Sequence, residues 1–166
     1  MLPGPAGYWM KLSDREGEMD ILREIIIRDF RIKEYQSLID MWSASGLPFK
    51  PLGRDSRKKL ESELSAEQAR LLVAELEGKL AGSVLVTHDG RKGWINRLAV
   101  FPPLRRKGIA GRLIAEAQKV LEQAGIEITA ALIEGENPES RNLFRKMGFR
   151  EHRDIVYFSS RKHPDV

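Results

Sequence analysis

The chain has 166 residues, 42% of them apolar and 31% charged, proportions that suit one globular domain with room for a sizeable core. It contains no cysteine, which excludes disulfides, thiolate metal sites and a cysteine nucleophile, and its three histidines (His88, His152, His163) are too scattered for a histidine-rich metal centre. The net charge of +4 fits an anionic ligand but does not by itself indicate nucleic acid, for which clustered basic stripes would be expected.

Residues 1–20 mix Pro, Gly and charge with little periodicity, and are expected to form a poorly ordered arm ahead of a single domain over 21–166. They lack the continuous apolar segment of a signal peptide. No apolar run approaches the roughly 20 residues needed to span a bilayer. A cytoplasmic protein without membrane contact is the expectation.

Residues 23–30 (REIIIRDF) are rich in β-branched side chains and predict a strand. Over 32–45, Tyr35, Leu38, Ile39 and Trp42 recur at helical spacing, and Gly46 supplies a stop. Residues 46–56 read as a loop in which Asp55 or Ser56 caps a following helix, RKKLESELS. Residues 69–101 then read as three consecutive strands. Their turns fall at EGK (77–79) and HDGRKG (88–93), the second carrying an Asp-Gly hairpin signal.

After Pro102 and Pro103, one helix face is marked by Ile109, Leu113, Ala117, Val120, Leu121 and Ala124, and Gly125 closes it. Residues 126–134 predict a strand, and 137–148 a short helix with Pro138 in its first turn and Gly148 at its end. Residues 149–160 are expected to close the chain as a strand or hairpin arm. The strand–helix–strand crossover over 94–133 requires parallel strands on either side of the long helix, whereas the strands before it form an antiparallel meander. The fold class is therefore α/β (α+β), a mixed sheet with helices packed on it.

The junction of strand and long helix carries Arg105, Arg106 and Lys107, then Gly108. A helix N-terminus presents unpaired N–H groups and the positive end of the macrodipole, so it attracts anions. Glycine allows a ligand close to the backbone, and the small Ala110 keeps the next approach open. No Gly-Lys-Ser/Thr follows, so this is not a P-loop, nor is it the dinucleotide Gly-x-Gly-x-x-Gly. On the run alone, a solvated charge cluster and an anion site weigh about equally.

Residues 105–110, read as Arg-x-x-Gly-x-Ala, resemble the acyl-CoA pyrophosphate motif of the GCN5-related N-acetyltransferases, and RLAVFPPLR resembles the strand-to-loop lead-in to that motif. Residues 137–149 (NPESRNLFRKMGF) resemble the Asn-x-x-Ala-x-x-x-Tyr-x-x-x-Gly-Phe segment of the same family, with Asn137, Ser140, Phe144, Gly148 and Phe149 in register. The likeness covers roughly 23–158. It implies a fold with two splayed parallel strands and acetyl-CoA as co-substrate, with no metal.

The resemblance implies that backbone groups of Leu98, Ala99 and Val100 hold the pantetheine arm, one N–H serving as oxyanion donor. It places the diphosphate on Arg105, Arg106, Lys107, Gly108, Ile109 and Ala110. Asn137 would hydrogen-bond the pantetheine amide, with N-capping as its ordinary alternative, and Ser140, Phe144 and Lys146 would line the far side. Phe144 stands where the family's acid tyrosine often lies, leaving water or Tyr157 to protonate the thiolate. Leu132 occupies the position where some relatives carry a base. Glu134 is the nearest carboxylate, and a solvated strand end is its alternative. His88 is read as solvent-facing.

Asn96 or Arg97 should face the substrate, and a buried arginine there would suggest an anionic group on the acceptor. Trp42 is read as core and the loop bearing Leu47 and Phe49 as substrate-facing. The function implied is transfer of acetyl to a primary amine, on a protein N-terminus, a lysine or a small molecule. An acyl-CoA-binding or sensing module with little catalysis is the second reading, and a homodimer is implied by family likeness alone.

Overall fold

The computed structural model describes residues 22–163 of the chain. The arm expected over 1–20 lies outside them. Strand β1 (Ile26–Asp29) is followed by a 3-10 turn (Ile32–Glu34) and helices α1 (Tyr35–Ser45) and α2 (Arg57–Leu64). Strands β2 (Ala69–Leu76), β3 (Lys79–His88) and β4 (Gly93–Val100) come next. A second 3-10 turn (Pro102–Leu104) leads into α3 (Ile109–Gln123), then β5 (Thr129–Ala131) and α4 (Pro138–Lys146).

The five strands form one sheet in the order β1-β2-β3-β4-β5, antiparallel up to β4 and parallel between β4 and β5. The hairpins follow from local chemistry. Glu77 and Gly78 both have positive φ at the β2–β3 turn, as a two-residue hairpin requires. At the β3–β4 turn Asp89 Oδ1 accepts from the amides of Arg91 and Lys92, both at 2.8 Å. His88 belongs to this turn too, its Nδ1 accepting from the Gly90 amide at 3.2 Å.

Adjacent residues of β3 show how the layers are built. A Cβ on Gly82 would meet the Leu113 side chain of α3, while the Ser83 hydroxyl meets the Trp42 indole of α1. Successive strand side chains point to opposite faces, so α1 and α3 cover opposite sides of the sheet. The apolar stripe of α3 is buried at Ile109, Leu113, Ile114, Ala117 and Leu121. Trp42 is core, as its helical spacing predicts.

Of the two expected caps of α2, Ser56 holds the position, without a side-chain cap bond, and Asp55 is drawn into an internal ion pair. Two further sequence expectations are corrected. The strand predicted over 126–134 shrinks to three residues, because the ladder with β4 stops after Ile95↔Ala131. Residues 149–160 form no strand. Glu151 instead bridges Arg141 and Arg145 of α4, which draws the chain along that helix and leaves Ile155, Val156, Tyr157 and Phe158 at 67–87% exposure.

Candidate active site

The parallel ladder runs only through Gly93↔Thr129, Trp94↔Ala130 and Ile95↔Ala131. Strand β4 continues to Val100, so among the described residues no strand pairs with residues 96–100 on the β5 side. The result is a slot with a backbone edge on one wall, suited to an extended ligand that pairs like a strand. Leu98, Ala99 and Val100 lie on this stretch, Leu98 half-buried and the other two buried.

The slot leads to the N-terminus of α3. Gly108 occupies the N-cap in the left-handed region (φ 78°), where a side chain is strained. A Cβ there would also come within 3.2 Å of Leu22. No side chain among the described residues caps this helix, and its first turn holds no carboxylate, so the leading amides of Ile109 and Ala110 have no anion within the helix itself. Helix α4 provides the contrast, because Asn137 Oδ1 accepts from the Ser140 amide at 3.0 Å and Glu139 sits in the first turn. Of these two helices, α3 is the one whose N-terminus carries neither a side-chain cap bond nor an acidic residue in its first turn.

The three cations of the junction differ. Arg105 donates through Nε to Val100 O at 3.3 Å and through a terminal nitrogen to Ser45 O at 2.6 Å, so it braces the slot wall against α1. Arg106 is exposed with φ 62°, and Lys107 is half-buried. Of the second motif, Asn137 is the N-cap of α4, Ser140 follows it half-buried, and Lys146 is exposed at the far end. Phe144 is buried and packs edge-to-face on Phe149, with ring centroids 4.9 Å apart.

The sequence-predicted catalytic candidates are dispersed. Asn96 is half-buried at the first residue of the unpaired β4 segment. Glu134 is exposed beyond β5, its carbonyl accepting from the Asn137 amide at 3.0 Å. Tyr157 is on the exposed C-terminal segment, and no hydrogen bond or ring contact among the described residues ties it to β4 or β5. Among those residues, no three His, Asp or Glu side chains converge to hold a metal ion.

A polar cluster that the sequence did not reveal sits beside the slot. The β3–β4 register shifts by one residue between Leu85↔Asn96 and Ser83↔Ala99, so Arg97 and Leu98 together oppose Val84 in a β-bulge. Arg97 has φ 50° there, and its carbonyl accepts from Ser83 Oγ at 3.1 Å. Ser83 in turn accepts from Trp42 Nε1 at 2.8 Å. The Arg97 guanidinium lies 5.5 Å from the Trp42 ring centroid and donates to both Asp55 carboxylate oxygens at 2.6 and 2.8 Å.

Asp55 is 5% exposed. Deleting either partner of such a pair strands the other and costs about 3–5 kcal/mol. Burial lowers the Arg97 pKa from its ordinary value and Asp55 opposes this. The Arg97 charge is matched from within by Asp55, so it gives no sign of an anionic group on the acceptor. Glu63 of α2, exposed as a residue, has its carboxyl pKa raised by partial burial of that group and by Asp55, with Arg97 opposing. No local spacing marks either acid as belonging to a site.

Comparison with known proteins follows the geometry. Residues 26–149 match the acetyltransferase (GNAT) family. An acetyltransferase of Photorhabdus laumondii subsp. laumondii is 30% identical over 136 residues, 81% of this chain and 94% of that protein. Among solved structures, an aminoglycoside acetyltransferase from an uncultured soil metagenomic sample, in complex with sisomicin, aligns with a TM-score of 0.73 at 18% identity, covering 86% of this chain and 99% of the other. The PaiA N-acetyltransferase of Thermoplasma acidophilum, in complex with coenzyme A, aligns at 0.67 and 23% identity, covering 76% and 89%. At these identities the two structures speak to the fold, and the match over 26–149 carries the assignment. The chain belongs to the acetyltransferase (GNAT) family.

Proposed function

We propose that the protein transfers an acetyl group from acetyl-CoA to a primary amine by direct attack in a ternary complex. The observation that carries this reading is the unpaired β4 segment, residues 96–100, opening beside an uncapped, glycine-led helix N-terminus. Acetyl-CoA supplies the activated thioester. The edge of Leu98, Ala99 and Val100 holds the pantetheine arm, and a backbone N–H at that level stabilises the developing oxyanion. Amides of residues 106–110 take the diphosphate, with Arg106 and Lys107 adding charge and Arg105 bracing the wall. Asn137 keeps its capping bond while its side-chain NH2 remains a donor for the arm, with Ser140 and Lys146 on the same helix.

The acceptor must lose a proton. A lysine-type amine near pKa 10.4 is neutral in about one molecule in 2,500 at pH 7, equivalent to roughly 4.6 kcal/mol, while an α-amine near 8 costs only about 1.4 kcal/mol. Glu134, at the exit of β5, and Asn96, on β4, are the groups we assign to receive and orient the amine. Phe144 cannot donate a proton and Tyr157 is exposed on an unpaired segment, so water protonates the thiolate, whose pKa near 8.5 makes this undemanding. The PaiA structure holds coenzyme A, which supports the cofactor, and the soil-metagenome aminoglycoside acetyltransferase holds sisomicin, which supports a small-molecule acceptor. The chain has no cysteine that calls for an oxidising compartment, and a cytoplasmic location goes with this reading.

Calorimetric titration with acetyl-CoA, repeated on Gly108→Glu, tests the cradle, and thiol release over an amine panel tests the chemistry. Binding abolished by the substitution, with turnover of one amine, is the expected result. The buried Phe144 in place of a proton donor favours a second reading, an acyl-CoA sensor, and binding without turnover of any amine would select it.

A further inference from the structure

Arg97 is a covalent part of the slot-bearing strand and its side chain also anchors the 47–55 loop to that strand. Its backbone forms the bulge of β4 in the unpaired half of the strand. Its side chain donates to Pro48 O at 2.6 Å and to both oxygens of Asp55, and so grips the 47–55 loop at both ends. Asp55 closes that loop on itself, Oδ2 accepting from the Lys50 amide at 2.7 Å and its carbonyl accepting from the Tyr35 hydroxyl at 2.8 Å. From below, Trp42 and Ser83 hold the bulge carbonyl and the guanidinium face. One residue thus joins α1, β3, the bulge and the loop in a single network with no unsatisfied buried side-chain atom among the described residues.

From this connectivity we infer that Arg97, acting through Asp55, is a positioning residue for the acceptor: it fixes the 47–55 loop, with Leu47 and Phe49, as a rigid wall at a set height above the thioester end of the slot. The inference rests on the acetyltransferase reading and adds to it a specificity device. The guanidinium is spent on the wall, so selection of the acceptor falls to wall shape, and an anionic group on the acceptor gains nothing from Arg97. A planar guanidinium is required because three acceptors in a fork must be met at once, which an ammonium on a flexible stem does not do.

The test compares Arg97→Lys, Asp55→Asn and the double variant, using the best amine found for the parent protein. Thermal melts confirm that each variant is folded, and rates are expressed per folded molecule. A reacting group displaced by about 1 Å loses about 100-fold in rate, so each single variant should lower kcat/KM for the amine by about that factor. The dissociation constant for acetyl-CoA should stay within about threefold, because both substitutions change side chains only and leave the main-chain groups of Leu98, Ala99 and Val100 and the amides heading α3 in place. The double variant should be no worse than the poorer single one, since both break the same link.

Amine kinetics that match the parent in Arg97→Lys and Asp55→Asn would overturn the inference while leaving the acetyltransferase reading intact. An equal loss of acetyl-CoA affinity would also overturn it, by showing that the pair supports the cofactor slot or the whole fold. A parent protein that binds acetyl-CoA and turns over no amine would overturn both.

Discussion

Replacing Ser83 with alanine probes the network that supports the bulge. Ser83 is fully buried and Trp42 is 1% exposed, so water cannot replace the missing hydroxyl. The substitution leaves the indole N–H and the Arg97 carbonyl each without the partner now at 2.8 and 3.1 Å. A stranded buried polar group costs about 1–3 kcal/mol, and with some relaxation at the carbonyl the sum is about 2–4 kcal/mol. With an unfolding entropy of about 2.1 cal/mol/K per residue, this lowers the melting temperature by about 6–11 °C. Urea unfolding measures the free energy directly. Trp42→Phe should cost about 1–2 kcal/mol less in the Ser83→Ala background than in the parent, because the N–H it removes is already unpaired there. A Ser83→Ala loss below about 0.5 kcal/mol, or simple additivity of the two substitutions, would refute the claim that this hydroxyl satisfies the indole.

Two further outcomes follow from the packing and the charges. A Cβ on Gly93 would sit 2.5 Å from both terminal carbons of Leu121 and 2.9 Å from its Cγ, so Gly93→Ala should destabilise the fold by about 1–3 kcal/mol; adding Leu121→Ala should recover part of the overpacking term, as read by denaturant midpoints. The Glu151 carboxyl is held down at about 2, first by its hydrogen bond from Arg145 and then by that from Arg141. Its folded value lies below its unfolded value of about 4.5, so its contribution is present above pH 4.5 and fades as pH falls toward 2. The parent should therefore lose stability relative to Glu151→Gln over that window, less so at high salt, and a carboxyl resonance titrating near 4.5 would contradict the bridge.

What the sequence determined by itself was local. The apolar spacing of 109–121, the Asp-Gly turn and the helix start after Gly108 are set by interactions within one or two turns of chain, and all stand in the structure. The crossover over 94–133 fixed the parallel pairing of β4 and β5 because right-handed chain geometry leaves few alternatives. The junction we propose as the cofactor cradle is legible in the sequence for the same reason: glycine, cations and helix start are adjacent in the chain. Tertiary structure alone decided the rest. How far β5 extends depends on how long β4 stays beside it, and strand propensity at Leu132 and Ile133 forms no ladder once the partner has diverged. The C-terminal segment reads as a strand by composition, yet Glu151 finds its arginines on α4 and the apolar residues beyond it stay exposed. The Arg97–Asp55 pair joins residues 42 apart across a loop, and nothing in the spacing of either residue announces it. Asp55 before Ser56 has the look of a helix cap. It becomes the anchor of the 47–55 loop only because the sheet brings a bulged arginine within 2.6 Å of a carboxylate that burial forbids to stand alone.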